Sequence, residues 1–324
     1  MDQIAAGPGG PPEPPRPPSG RQYELRHGEQ SVTVVEVGGG IRTYVVGGVH
    51  VLDGYAADET CTGARGQTLV PWPNRVRDGR WRHRGKDLQL PITEPDKGNA
   101  IHGLLRWCSW TPVDGEGTPA EPDRLTLACR VHPQPGYPFA LEVRNEHALG
   151  DDGLTVRTVA TNVGAEPCPY ALGFHPYLTV GLDRIDDAVL RVPGATFLPT
   201  DDRGIPVDRR PVAGTEHDFR EPRQIGSVEI DTTITDLERD GDGRAVVTLS
   251  TPDGARSVSL WAGPAFPYLE IFTGDALPEP DKRRTGLGVE PMTAPPNALQ
   301  TGTDLIELAP GESVATTWGI TATS

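Results

Sequence analysis

The sequence predicts an all-β fold, a large antiparallel β-sandwich, on three observations. Apolar and polar residues alternate with a period of two in short runs rich in Val and Thr: SVTVVEV at 31–37, RLTLACRV at 124–131, LEVRNEH at 141–147, LTVRTVAT at 154–161, RAVVTLS at 244–250, SVSLWAG at 257–263 and SVATTWGI at 313–320. That period belongs to strands with one face in a core and one outside it. Asp-Gly pairs beginning at Asp53, Asp78, Asp114, Asp152, Asp242 and Asp253 punctuate the chain, each a hairpin-turn signal because glycine tolerates positive φ. Helical periodicity is lacking between the runs, which argues against a parallel sheet built from βαβ crossovers.

Taken in order, residues 1–20 (MDQIAAGPGGPPEPPRPPSG) form a Pro/Gly-rich stretch without the continuous apolar core of a secretory signal. We read them as a disordered leader; PPEPPRPP also has the composition of a polyproline II ligand. No composition shift or fixed-period repeat follows, so 21–324 reads as a single domain of two extensive packed sheets. A net charge of -15 over 324 residues weighs against nucleic acid or an anionic membrane as partner, since both demand a basic face. No segment has the length of a transmembrane helix. Cys61, Cys108, Cys129 and Cys168 are widely spaced with no C-x-x-C pair, so reduced thiols and a cytoplasmic location are expected.

Four segments interrupt the strand texture with residues a plain core would not choose: PWPNRVRDGRW at 71–81, NAIHGLLRW at 99–107, YALGFHPYL at 170–178 and VEPMTAPPNA at 289–298. Each joins a His, Arg or Glu to Pro, Gly or Trp, the composition of a rigid turn holding a functional side chain at a sheet edge. Taken singly they have structural readings. His175, held extended by Pro176, reads equally as a satisfied core histidine; His102 as a turn residue; Arg75 and Arg77 as an exposed strand pair; Glu290 as a paired core carboxylate.

Together, in order and spacing, these segments resemble the aldose 1-epimerase (galactose mutarotase) family. The matching phrases are Asn74-Arg75-Val76 with Asp78-Gly79, Asn99 with His102-Gly103, Gly173-Phe174-His175-Pro176-Tyr177, Asp231 in EIDTTITDL, Phe272-Thr273-Gly274 and Glu290-Pro291. PWPNR and EPMTAPPNA look closest to a bacterial branch. The resemblance implies an antiparallel β-supersandwich and an isomerase of free sugars. It implies Glu290 as general base, His175 as general acid, His102 assisting at the ring oxygen, and Arg75, with Asn74 beside it, and Asp231 holding hydroxyls. Asp236 lies near enough in sequence to be mistaken for Asp231.

The chemistry asks for these residue types. Interconverting α and β anomers removes a proton from the anomeric hydroxyl and delivers one to the ring oxygen, so an imidazolium and a carboxylate facing each other across a hexose-sized cleft are expected. Neither metal nor organic cofactor is required. A sugar also presents a flat C–H face, which makes Trp72, Trp107, Tyr177 and Phe272 candidates for a stacking wall. Other readings are a two-His-one-carboxylate metal site, a glycosidase or lyase pair of Glu290 and Asp231, a catalytically silent sugar-binding protein, and an epimerase of a sugar phosphate or specialised sugar. Arg106, Arg283 and Arg284 read as exposed charges or, less simply, as phosphate ligands.

Overall fold

The computed structural model describes residues 16–113 and 121–323. Residues 1–15 of the expected leader lie outside the described residues, as do Asp114 and its turn signal. In the remainder of that leader Ser19 is buried, and its carbonyl accepts the Val37 N–H at 3.0 Å.

The period-two runs become strands. Along Leu141–Gly150 the alternate residues Leu141, Val143, Asn145, His147 and Leu149 are buried, and the strand pairs antiparallel with both neighbours. It belongs to a nine-stranded sheet ordered Thr111–Pro112, Arg124–Val131, Leu141–Gly150, Gly153–Asn162, Ser313–Thr323, Ser257–Ala262, Ala245–Ser250, Val189–Arg191, Arg223–Gln224. An eight-stranded sheet runs Arg210–Pro211, Gly194–Leu198, Asp231–Leu237, Tyr268–Phe272, Leu287–Met292, Gly173–Phe174, Thr68–Leu69, with Tyr177–Leu178 also paired to Leu287–Met292. Among the described residues the strand pairings within the two sheets are antiparallel, as expected for a β-sandwich.

One hydrophobic cluster takes Leu260 and Trp318 from the nine-stranded sheet, Leu269 and Val289 from the eight-stranded sheet, and Leu25 and Val34 from a four-stranded sheet at Gln22–His27, Gln30–Val35, Ile41–Val46 and Val49–His50. The Phe174 and Trp318 rings meet between the two large sheets at 4.9 Å. Helix among the described residues is limited to a single α turn, Ala298–Thr301, and the 3-10 turns Ile185–Asp187 and Pro280–Lys282. No helix among them is long and apolar enough to cross a membrane. All four thiols are free.

The Asp-Gly signals hold only in part. Asp152 and Asp253 sit in turns that join paired strands. The turns at Asp78 and Asp242 instead link strands that do not pair with each other, and Asp53 makes no turn; its backbone N–H donates to the Tyr177 carbonyl and its carboxylate pairs with Arg65. Asp-Gly sets local chirality, but which strands pair is decided by which apolar faces must meet.

Candidate active site

Strand Leu287–Met292 is buried along its whole length. Period-two geometry sends Leu287 and Val289 into the hydrophobic cluster and turns Gly288 and Glu290 to the other face, so a carboxylate occupies a strand that looks wholly apolar. Register then assembles the site in two cross-strand rows. The first reads Asp231, Phe272, Gly288, Tyr177; the second, two residues along, reads Thr233, Glu270, Glu290. At Gly288 a Cβ would lie 3.1 Å from the Phe272 Cβ, so the missing side chain lets the row close up beneath the cleft.

Loops complete the walls. His102, Asn74 and Gly103 all have positive φ. The Asn74 N–H donates to His102 Nδ1 at 3.2 Å and the His102 N–H to the Asn74 carbonyl at 2.9 Å, locking the two turns together. Because Nδ1 accepts, the neutral ring carries its proton on Nε2. Arg75 makes a fork with Glu94, Nε to both carboxylate oxygens at 3.1 and 3.0 Å and Nη2 to Oε1 at 3.0 Å. Asn99 in turn donates to Glu94 at 3.0 Å. Beyond Glu290 the chain returns to clamp this strand: the Asn297 N–H donates to the Arg75 carbonyl at 2.6 Å and Asn297 Oδ1 accepts the Arg77 N–H at 3.0 Å. The proline-containing segment thus ties the strand of Glu290 to that of Arg75.

The resulting cleft has a volume of about 310 Å³ and is lined by Asn74, Arg75, His102, His175, Tyr177, Asp231, Phe272 and Glu290, together with Glu94, Lys97, Arg106 and Leu277. His175 Nε2 lies 3.1 Å from Glu290 Oε1, both side chains being less than 10% exposed. The imidazole stacks on Tyr177, ring centroids 5.1 Å apart and planes 15° apart, and meets His102 edge to face at 5.2 Å. Tyr177 is itself fixed by its hydroxyl donating to the Gly63 carbonyl at 2.9 Å and by the Arg65 guanidinium 4.6 Å from its ring centre.

Electrostatics follow from burial. Desolvation, then the Arg106 charge, lowers His175 to about 3, and His102 is held well below the ordinary range by burial, then by His175 and Arg106. Glu290 is held well above the carboxylate range by burial first, then by Glu270 and Asp231, with Arg75 opposing. Glu270, also buried, is pushed up to about 8 by desolvation and by Asp231. Burial thus favours the uncharged form of each partner, an imidazole without a second proton beside a carboxyl that keeps its own.

Several expectations need correction. His175 and Glu290 do not face each other across the cleft but touch on one wall, because both project from neighbouring positions of one sheet; the imidazolium expected there is neutral at rest. Trp72 does not line the cleft: it is 2% exposed, in the core, 6.4 Å from Tyr137. Trp107 does not line it either and is 58% exposed. Arg106, read as an exposed charge, lines the cleft. Arg284 is neither exposed nor available to a phosphate: it is buried between Asp186 at 3.0 Å and Asp275 at 2.9 Å. Arg283 is exposed, with Nε donating to the Leu277 carbonyl. Asp231 reaches the cleft, whereas Asp236 pairs with Arg209 outside it. Glu94 and Glu270 were missed. Glu270 carries the same signal that marked Glu290, a charge within an apolar strand, YLEIF. No group of three or more His, Cys, Asp and Glu among the described residues has the arrangement of a metal site.

Comparison with known proteins agrees with this architecture. The model of the aldose 1-epimerase family matches residues 21–321. The Escherichia coli K12 protein YihR is 32% identical over 295 residues, 91% of each chain, and YphB of the same organism is 25% identical over 304 residues, 90% of this chain and 95% of its own. Among solved structures, the GalM/aldose epimerase homologue of C. elegans superposes with a TM-score of 0.81 at 18% identity, covering 94% of this chain and 98% of that one. Galactose 1-epimerase from Lactobacillus acidophilus NCFM gives 0.77 at 20%, covering 93% of each chain. The chain belongs to the aldose 1-epimerase family.

Proposed function

We propose that this protein is an aldose 1-epimerase that interconverts the α and β anomers of a free monosaccharide, with Glu290 and His175 exchanging protons with the anomeric hydroxyl and the ring oxygen. The observation that carries this reading is the 3.1 Å contact between His175 Nε2 and Glu290 Oε1 on the cleft wall. The anomeric hydroxyl oxygen and the ring oxygen are bonded to one carbon, so two proton partners standing side by side on one wall can reach both.

The pair's single proton is the inventory the reaction needs. With Glu290 charged and His175 protonated, Glu290 takes the hydroxyl proton as His175 delivers one to the ring oxygen, the C1–O5 bond breaks and the aldehyde forms. Rotation about C1–C2 exposes the other carbonyl face, and the transfers run backwards as the ring closes. The neutral and charged forms of the pair differ only by one proton hop, so the resting state is one transfer from the reactive one. His102, its proton on Nε2, supplies a neutral donor to the ring oxygen. Arg75, held by Glu94, and Asp231 bind hydroxyls, and Tyr177 and Phe272 offer ring surface to the C–H face. A volume of about 310 Å³ suits a monosaccharide.

The test is anomer exchange followed by NMR across free and phosphorylated aldoses, the latter because Lys97 and Arg106 line the same cleft. Acceleration for at least one aldose, lost in Glu290→Gln at unchanged fold, is expected. Unaccelerated exchange across the panel, or retained activity in the variant, contradicts the reading.

A further inference from the structure

Glu270 is a second carboxylate that nothing in the proposed chemistry uses. It sits directly opposite Glu290 on the adjacent antiparallel strand, so the two side chains share one face, with Cβ atoms about 4.5–5.5 Å apart in such pairs. It is 3% exposed in a strand whose neighbours Leu269 and Ile271 are core residues. An apolar residue there would stabilise the fold, since a buried carboxyl costs free energy unless it is satisfied. The chain satisfies it specifically: Thr233, its partner on the other side, donates its hydroxyl to Glu270 Oε2, while Glu290 Oε2 has no hydrogen-bond partner.

We propose that Glu270 is a positioning residue for the reaction: its carboxyl, buried on the strand position directly across from Glu290, holds the shared proton of the His175–Glu290 pair in place as the pH rises. This rests on the epimerase reading for its meaning but not for its measurement. The groups around Glu290 are Glu270 on the adjacent strand and Asp231 on the next, His175 and Tyr177 beside it, Arg75 from its short strand, and His102 and Arg106 from the loops. Among these groups, Glu270 is the carboxyl that strand register places directly across from Glu290. As Glu270 ionises, its negative charge makes loss of the neighbouring proton harder. Without it the pair empties earlier, and a doubly deprotonated pair offers no acid to the ring oxygen.

The experiment compares wild type with Glu270→Gln, which keeps size and a hydrogen-bonding partner for Thr233. The alkaline limb of kcat/KM for anomer exchange should move to lower pH by about one unit or more. An unmoved limb overturns the proposal. In parallel, carbon-13 titration of the Glu290 carboxyl should show the same displacement whether or not the protein turns over a sugar, so a failed epimerase reading and a failed Glu270 assignment give different results. Should Glu270→Gln not fold, the wild-type titration decides: the Glu290 signal must respond over the pH range in which Glu270 ionises, and independent titration of the two overturns the proposal.

Discussion

Replacing Arg75 with Met keeps the length of the buried stem but removes the guanidinium. Arg75 and Glu94 are 12% and 19% exposed, and their fork is bidentate. Breaking a buried pair by deleting one partner costs about 3–5 kcal/mol. Asn99 still donates to Glu94, and partial exposure lets water reach the freed carboxylate, which lowers the expected loss to about 2–3 kcal/mol. Glu94→Gln should cost less, about 1 kcal/mol, because Arg75 retains Asp231 as a counter-charge and the amide oxygen still accepts a hydrogen bond from the guanidinium. The double variant Arg75→Met/Glu94→Gln removes both charges and should be no worse than Arg75→Met alone. Urea unfolding at pH 7 measures all three. An Arg75→Met loss smaller than that of Glu94→Gln, or a double variant whose loss equals the sum of the singles, would refute the reasoning.

Other outcomes follow from the same geometry. His147 is buried and lowered to about 4, first by desolvation, so the folded chain refuses a proton that the unfolded chain accepts below its ordinary value; stability should fall by about 3 kcal/mol as pH drops from 6.5 to 4, and His147→Gln should flatten that slope in denaturant titrations. Because His175 is already neutral and the pair holds one proton, kcat/KM should stay level from about pH 5 to 7, whereas an imidazolium of ordinary acidity as the acid would lose activity across about pH 6.5. Gly103 has φ of +73°, and a Cβ there would lie 2.1 Å from the Val70 carbonyl oxygen; Gly103→Ala should cost about 2–4 kcal/mol by thermal unfolding and displace His102. Asp231→Asn should raise KM about tenfold or more, while Asp236→Asn, which loses only an exposed pair with Arg209, should leave KM unchanged.

Strand identity was legible because a sheet residue's fate is decided by its own side chain and its neighbour two along, as in Leu141–Gly150. Sheet order was less so: Asp242-Gly243 turns between two sheets just as Asp253-Gly254 turns between two paired strands, and only the packing of distant faces separates them. The same holds for the site. Asn74, Arg75, His102, His175, Asp231 and Glu290 share one cleft, but their meeting depends on register between strands far apart in sequence. Trp72 lies two residues before Asn74 in the chain yet sits in the core, because the positive φ of Asn74 breaks the alternation that would put both side chains on one face. Glu270 was readable as an anomaly within YLEIF, but its meaning needed its partner across the ladder. The contact of His175 with Glu290 is a property of the sheet, invisible in either segment.

Anomer exchange by two-dimensional NMR in wild type, Glu290→Gln, His175→Gln and the double variant addresses the central claim most directly. If the two side chains act as one unit holding one proton, each single variant loses about 10²–10⁴ in rate and the double loses no more than the worse single. Substantial activity in either single variant, or losses that multiply in the double, contradicts the account.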